Sequence, residues 1–237
     1  MGARHAKSNA GDHERLIEPE RWATMDVMTT TLLYPEQRVV LENISWSLYE
    51  ELLDAQQNRR APRFTYDRGA LEIMSPSAEH EQIAYNITLL VALFAEVKGI
   101  NLQGLGSTTF RRKDLSRGFE PDACFYATNL HRIKGKHRID LAFDPPPDLV
   151  IEIDIANSSL DKGSIAAEVG VPELWRYDKE GWHVFALHAG VYIEERVSKL
   201  LPGLTTQLIT DLIEECRTLD PLPWMAHVRQ AASIAKC

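Results

Sequence analysis

Pro147-Asp148-Leu149-Val150-Ile151-Glu152-Ile153-Asp154-Ile155-Ala156-Asn157-Ser158-Ser159-Leu160-Asp161-Lys162 is the stretch around which the chain is organised. Leu149, Val150, Ile151, Ile153 and Ile155 make an apolar, largely β-branched run between prolines and polar residues. That composition and length predict a strand buried on both faces of a sheet. Glu152 and Asp154 interrupt the run. Side chains alternate along a strand, so residues two apart share a face, and both carboxylates point the same way. Buried charge is costly unless it is paired or holds a metal. Asn157, Ser158 and Ser159 offer helix caps. Asp161 and Lys162 fall near the first turn of the following helix, from which Lys162 can reach back over the strand end. Two carboxylates and one ammonium at a strand-to-helix corner suit a hard-metal site with an electrophilic lysine beside it. The plainer reading of the same residues is a solvated strand end with one salt bridge.

Working outward, the 237 residues suffice for one large domain or two small ones, and with 44% hydrophobic and 25% charged residues the chain can build a sizeable core. The net charge of −8 disfavours duplex binding by bulk charge, though an acidic enzyme can still cut DNA through a locally basic cleft. Cys124, Cys216 and Cys237 are odd in number and lack metal-ligand spacing, so they read as reduced thiols of a cytoplasmic protein. The longest apolar stretch, 87–95, is too short to span a bilayer.

Residues 1–25 are polar and aperiodic and read as a disordered leader, with Met25 or Met28 as possible true starts. Residues 44–53 have helical spacing behind a cap at Asn43. The segments 64–66 and 70–74 flank Asp67-Arg68-Gly69, a hairpin signal. Ile83, Ile87, Leu90, Val91 and Phe94 stripe a helix over 79–98 that Gly99 closes. Residues 119–126 predict one strand carrying Pro121-Asp122, preceded by a charged turn at 111–117. Residues 128–146 predict a basic loop with a short strand. After the central strand a helix runs to Val169, followed by strands at 174–177, 183–187 and 191–195. A closing helix over 207–216 leads into a C-terminal helical tail, 216–237. The domain proper is expected over 40–215.

Four motifs in order carry a family resemblance: Gly106-Ser107-Thr108-Thr109-Phe110, Gly118-Phe119-Glu120-Pro121-Asp122, Pro147-Asp148-Leu149-Val150-Ile151-Glu152-Ile153 and Gly170-Val171-Pro172-Glu173-Leu174-Trp175-Arg176-Tyr177-Asp178. Together they resemble the Uma-type putative restriction endonuclease family of the PD-(D/E)XK nuclease superfamily. The resemblance implies an α/β (α+β) fold of one domain, a mixed central sheet flanked by helices, with the site at one end of the central strands. It also implies roles residue by residue. Asp122 matches the metal-binding aspartate and Glu152 the acidic residue of the next strand. The lysine usually two residues beyond that acid is replaced by Asp154, and Lys162 on the next helix takes its place. Glu81 is a candidate helix carboxylate, and His80 belongs to the family's Ser-Pro-Ser-x-x-His stretch.

Phosphodiester cleavage needs an activated water and charge neutralised on the phosphate, and Mg²⁺ (or Mn²⁺) on one or two carboxylates supplies both. Asp122 and Glu152 are then the expected ligands, with the Ile153 carbonyl as a third. Asp154 either binds a second metal or pairs with Lys162. His80, on the apolar stripe, is either a satisfied core histidine or a catalytic group. Trp175 and Tyr177 read as strand core, and the Arg111–Arg117 cluster as a DNA-backbone candidate. The expected function is a metal-dependent DNA endonuclease, acting as a homodimer because duplex cleavage cuts two strands. The alternative is a catalytically silent nuclease-fold module that binds nucleic acid or protein.

Overall fold

In a computed structural model of the chain, residues 36–56, 61–156 and 160–236 are described. The leader and the three candidate caps Asn157, Ser158 and Ser159 lie outside them. An edge strand, β1 (Gln37–Leu41), is followed by α1 (Trp46–Gln56) and a hairpin, β2 (Arg63–Asp67) and β3 (Ala70–Ser75). The long helix α2 (Ala78–Lys98) starts on Ser77, whose hydroxyl accepts from the His80 N–H, and stops at Gly99, which adopts φ +68°. Short strands β4 (Gln103–Gly104), β5 (Phe110–Arg112) and β6 (Arg117–Phe119) lead to β7 (Ala123–Tyr126) and a one-turn helix, α3 (Leu130–Ile133). The central strand is β8 (Leu149–Ile153). It is followed by α4 (Lys162–Glu168), β9 (Glu173–Asp178), β10 (Gly181–His188), β11 (Val191–Glu195), α5 (Thr206–Glu215) and α6 (Pro221–Ile234).

The strands form two sheets, ordered β1-β3-β2-β6-β5 and β11-β10-β9-β8-β7-β4. The second is the expected mixed sheet: β8 pairs parallel with β9 and antiparallel with β7. Every residue of β8 is buried. Leu149, Ile151 and Ile153 pack into the core that includes residues of α2, α5 and α6, while Val150 packs on the other face with Ile165 and Ala166 of α4. Glu152 shares Val150's face by alternation, and this aims it at the start of α4. The C-terminal helix α6 contributes Trp224, Val228 and Ala232 to the core against α2, so it belongs to the domain's packing. The described residues belong to one compact unit.

Three local expectations change. The cap of α1 is Ser45, whose hydroxyl accepts from the Leu48 N–H, whereas Asn43 takes a left-handed φ of 59° in the preceding turn. The strand expected over 119–126 is broken at Glu120-Pro121-Asp122, and its halves belong to different sheets. Pro121 has no N–H to give a ladder, which favours the break there. Residues 128–146 hold the α3 turn and no strand.

Candidate active site

The break at Pro121 places Asp122 between the two sheets and against β8. Its N–H donates to the Ile151 carbonyl at 3.1 Å, and the Ile153 N–H donates to its Oδ2 at 2.6 Å. Its Oδ1 accepts from the buried Arg63 guanidinium and lies 2.7 Å from His80 Nε2. Ile153, expected as a carbonyl ligand, therefore meets Asp122 through its amide. His80 is fully buried in the first turn of α2, with Nδ1 2.6 Å from Glu36 Oε2. Burial works against its charge, but the hydrogen bonds with Asp122 and Glu36 override this and lift its pKa to about 9. Arg63, 2.9 Å from the same Nε2, opposes that rise. For Asp122, burial pushes upward, yet His80, Lys162 and Arg63 hold the carboxyl well below the usual range.

Glu152 and Lys162 meet on the opposite flank. Asp161 caps α4 by accepting from the Ser164 N–H at 3.0 Å, and this fixes Lys162 in the first turn. Lys162 Nζ donates to Glu152 Oε2 at 2.8 Å, with Glu152 5% and Lys162 8% exposed. Burial raises Glu152, Lys162 lowers it and Asp122 raises it again, to about 7. Lys162 is raised: burial opposes its charge, but Glu152 and Asp122 outweigh that. Glu152 Oε1 is buried without a hydrogen-bond partner. Asp154 does not pair with Lys162. Its ion-pair partner is Arg38, at 3.6 Å, because β1 lays Arg38 across the strand end. Glu81 accepts from Arg63 at 2.7 Å and remains 54% exposed at the rim.

The structure thus gathers Asp122, Glu152, Lys162 and His80 and adds four residues that strand reading missed: Glu36, Arg38, Arg63 and Glu72. Arg38 bonds Glu72 at 2.9 Å and Glu36 at 2.6 Å. Glu36 and Arg38 are two residues apart, so the alternation argument applied to Glu152 and Asp154 also groups them. Arg63 heads an otherwise buried strand, a signal of the same kind.

Two pockets flank the cluster. One, of about 270 Å³, is lined by Arg38, Glu152, Asp154, Lys162 and Arg176 among others. The other, of about 330 Å³, is lined by Arg63, Glu81, Tyr85, Ser107 and Asp122 among others. Among the described residues, no three His, Cys, Asp or Glu converge as a ready-made cage for a metal. Mg²⁺ needs only one or two carboxylates and keeps its waters, so Glu152 Oε1 fits such a cation.

Other motif residues are architectural. Glu173 accepts from Trp175 Nε1 at 2.6 Å, Ser198 Oγ at 2.7 Å and the Lys199 and Leu200 amides at 2.8 and 3.0 Å. Trp175 is fully buried core. In the basic cluster, Arg112 pairs with Asp114 and Arg117 with Asp67 and Glu168. Arg111 and Lys113 line a groove together with Arg138. Burial pushes the Cys124 thiol up to about 12, which makes it an inert thiol. Among the described residues no helix is long and apolar enough to cross a membrane.

Compared with known proteins, residues 46–219 match a family model, Uma2, described as "Putative restriction endonuclease". Among solved structures, the crystal structure of a "putative nuclease belonging to DUF820" from Anabaena variabilis aligns with a TM-score of 0.49 and 16% identity, over 69% of this chain and 97% of that one. No curated protein matches.

Proposed function

This chain belongs to the Uma2 family of putative restriction endonucleases, and from that premise we propose that it is a metal-dependent endonuclease hydrolysing phosphodiester bonds, in DNA, with Mg²⁺ or Mn²⁺. One observation carries the reading. A buried lysine is bonded to one oxygen of a buried glutamate whose other oxygen is uncommitted, beside a second buried acid on the neighbouring strand.

A bound divalent cation supplies charge neutralisation at the phosphate and a water acidic enough to attack it. Glu152 would hold that cation through its uncommitted Oε1, and the family pattern adds Asp122 and the Ile153 carbonyl. Lys162 keeps two further N–H donors after bonding Glu152, enough to orient a water or meet a developing phosphoryl charge. Arg63 and His80 hold Asp122 against β8 and thereby set the spacing of the two acids. Two strands are cut by two copies of a single-site chain, so the working unit is a dimer.

A second reading, binding without cleavage, is favoured by the donors already on both Asp122 oxygens. Incubating the chain with plasmid, single-stranded DNA and RNA in Mg²⁺ and in Mn²⁺ separates the two. Metal-dependent cleavage of DNA supports the first; tight binding with no cleavage supports the second.

A further inference from the structure

Resting on the nuclease reading above, we propose that Arg176 is a substrate-binding residue that holds a backbone phosphate of the DNA beside the one being cut. Its place follows from strand register. β8 and β9 run parallel with Glu152 opposite Arg176, so the two side chains leave the sheet on one face. Two residues earlier on the same face, Val150 and Leu174 pack against Ile165 and Ala166 of α4. At the next step Glu152 is buried against Lys162, whereas Arg176 keeps 47% of its side chain exposed. Glu152, Lys162 and Arg176 line one pocket, of about 270 Å³.

The Arg176 guanidinium is held in place without being used up. Asp178 meets its Nη2 at 3.0 Å, and its carbon lies 5.7 Å from the centre of the Phe185 ring. Nε and Nη1 are left to donate, and a planar guanidinium matches two phosphate oxygens at once. The plainer reading is a surface ion pair with Asp178, but exposed pairs contribute little, so a phosphate can compete for the arginine. The pocket's other cations are committed inward. Arg38 is 8% exposed and bonded to Glu36 and Glu72, and Lys162 is bonded to Glu152. Glu152, Asp154 and Asp161 also line the pocket, on a chain of net charge −8. A phosphate approaches such a site only where local positive charge offsets those carboxylates, and Arg176 supplies it at the solvent side.

The test is binding of a fluorescein-labelled DNA duplex to the full chain, with Ca²⁺ as the cation, by anisotropy over a series of KCl concentrations. Arg176→Gln is expected to weaken binding about tenfold and to lower the salt slope by about one, the mark of one lost phosphate contact. Arg176→Lys should keep the slope and recover part of the affinity, because it keeps the charge and loses the fork. Arg229→Gln is the charge control: Arg229 is half-exposed on α6 and pairs with Glu96, in the helical layer on the other face of the sheet. Arg176 is half-exposed, so its variants fold, which melts verify. An Arg176→Gln chain with the affinity and slope of Arg229→Gln, or no binding by the wild type, overturns the assignment. Cleavage in Mn²⁺ that Arg176→Gln leaves untouched at low DNA concentration overturns it too, with the nuclease reading intact. Wild-type chain that binds DNA through Arg176 but cleaves none in Mn²⁺ contradicts the nuclease reading and leaves the phosphate contact standing.

Discussion

Lys162 Nζ lies 2.8 Å from Glu152 Oε2, joining the first turn of α4 to the end of β8 with both side chains buried. Removing one member of a buried pair strands the other's charge, at a cost of roughly 3–5 kcal/mol, whereas replacing both by apolar or neutral groups is often near neutral. Lys162→Ala and Glu152→Ala should therefore each lower stability strongly, and Glu152→Gln/Lys162→Met should recover most of the loss. Urea unfolding of all four chains measures it. Additive losses in the double variant would show that the pair is not coupled.

The pH dependence follows from His80. Its pKa rises from an ordinary 6.5 to about 9 on folding, so its contribution is full below pH 6.5 and is lost as pH climbs through 9. Glu152, raised from 4.5 to about 7, acts in the lower window, also losing stability as pH rises. Unfolding free energy, and with it the melting temperature, should thus decline between neutral pH and pH 9, with His80 contributing on the order of 2 kcal/mol. His80→Gln should flatten that upper decline. A variant with the wild-type slope would place the titration elsewhere.

Gly118 shows how a motif glycine can be architectural. A Cβ at this position of β6 would overlap the Tyr49 hydroxyl and ring, and Tyr49 is the buried residue of α1. Gly118→Ala should displace α1 and cost about 1–3 kcal/mol, as overpacking does. Pairing it with Tyr49→Phe should relieve part of the clash, readable in the melting temperature.

Much of this was legible in the sequence, and the boundary is physical. The α2 stripe, the β2–β3 hairpin and the β9–β11 strands follow local periodicity, and they formed nearly where the spacing put them. Lys162 was legible because Asp161 and the apolar strand before it frame a helix start. Arg38, Glu36 and Arg63 were not, because they reach the cluster from the first sheet, β1-β3-β2-β6-β5, and the residue before its edge strand. Strand pairing such as β1 with β3 is set by tertiary contacts that no window of sequence contains. The split at Pro121 was half legible: proline signals a break, but not that the two halves join different sheets. The partner of Asp154 was not legible for the same reason: the sequence left a metal or Lys162 open, and Arg38 is the residue that meets it.

The edge strand β11 exposes Val191 and Ile193, 65% and 51% accessible and on one face by alternation. If the working unit is a dimer, sedimentation at micromolar concentration should show two copies. A Val191→Glu/Ile193→Glu chain then reports whether this edge is the interface. A strict monomer that still makes double-strand breaks would contradict the dimer.

The most direct measurement of the central claim is single-turnover cleavage of DNA in saturating Mn²⁺ by the wild type and Lys162→Ala, with folding verified by melts. The account predicts cleavage by the wild type and its loss, by at least about a hundredfold, in the variant, because an electrostatic donor aimed at the reacting phosphate is removed. Mn²⁺ affinity should be little changed, since an ammonium is not a ligand. Equal cleavage by a folded Lys162→Ala chain, or none by the wild type, would contradict it.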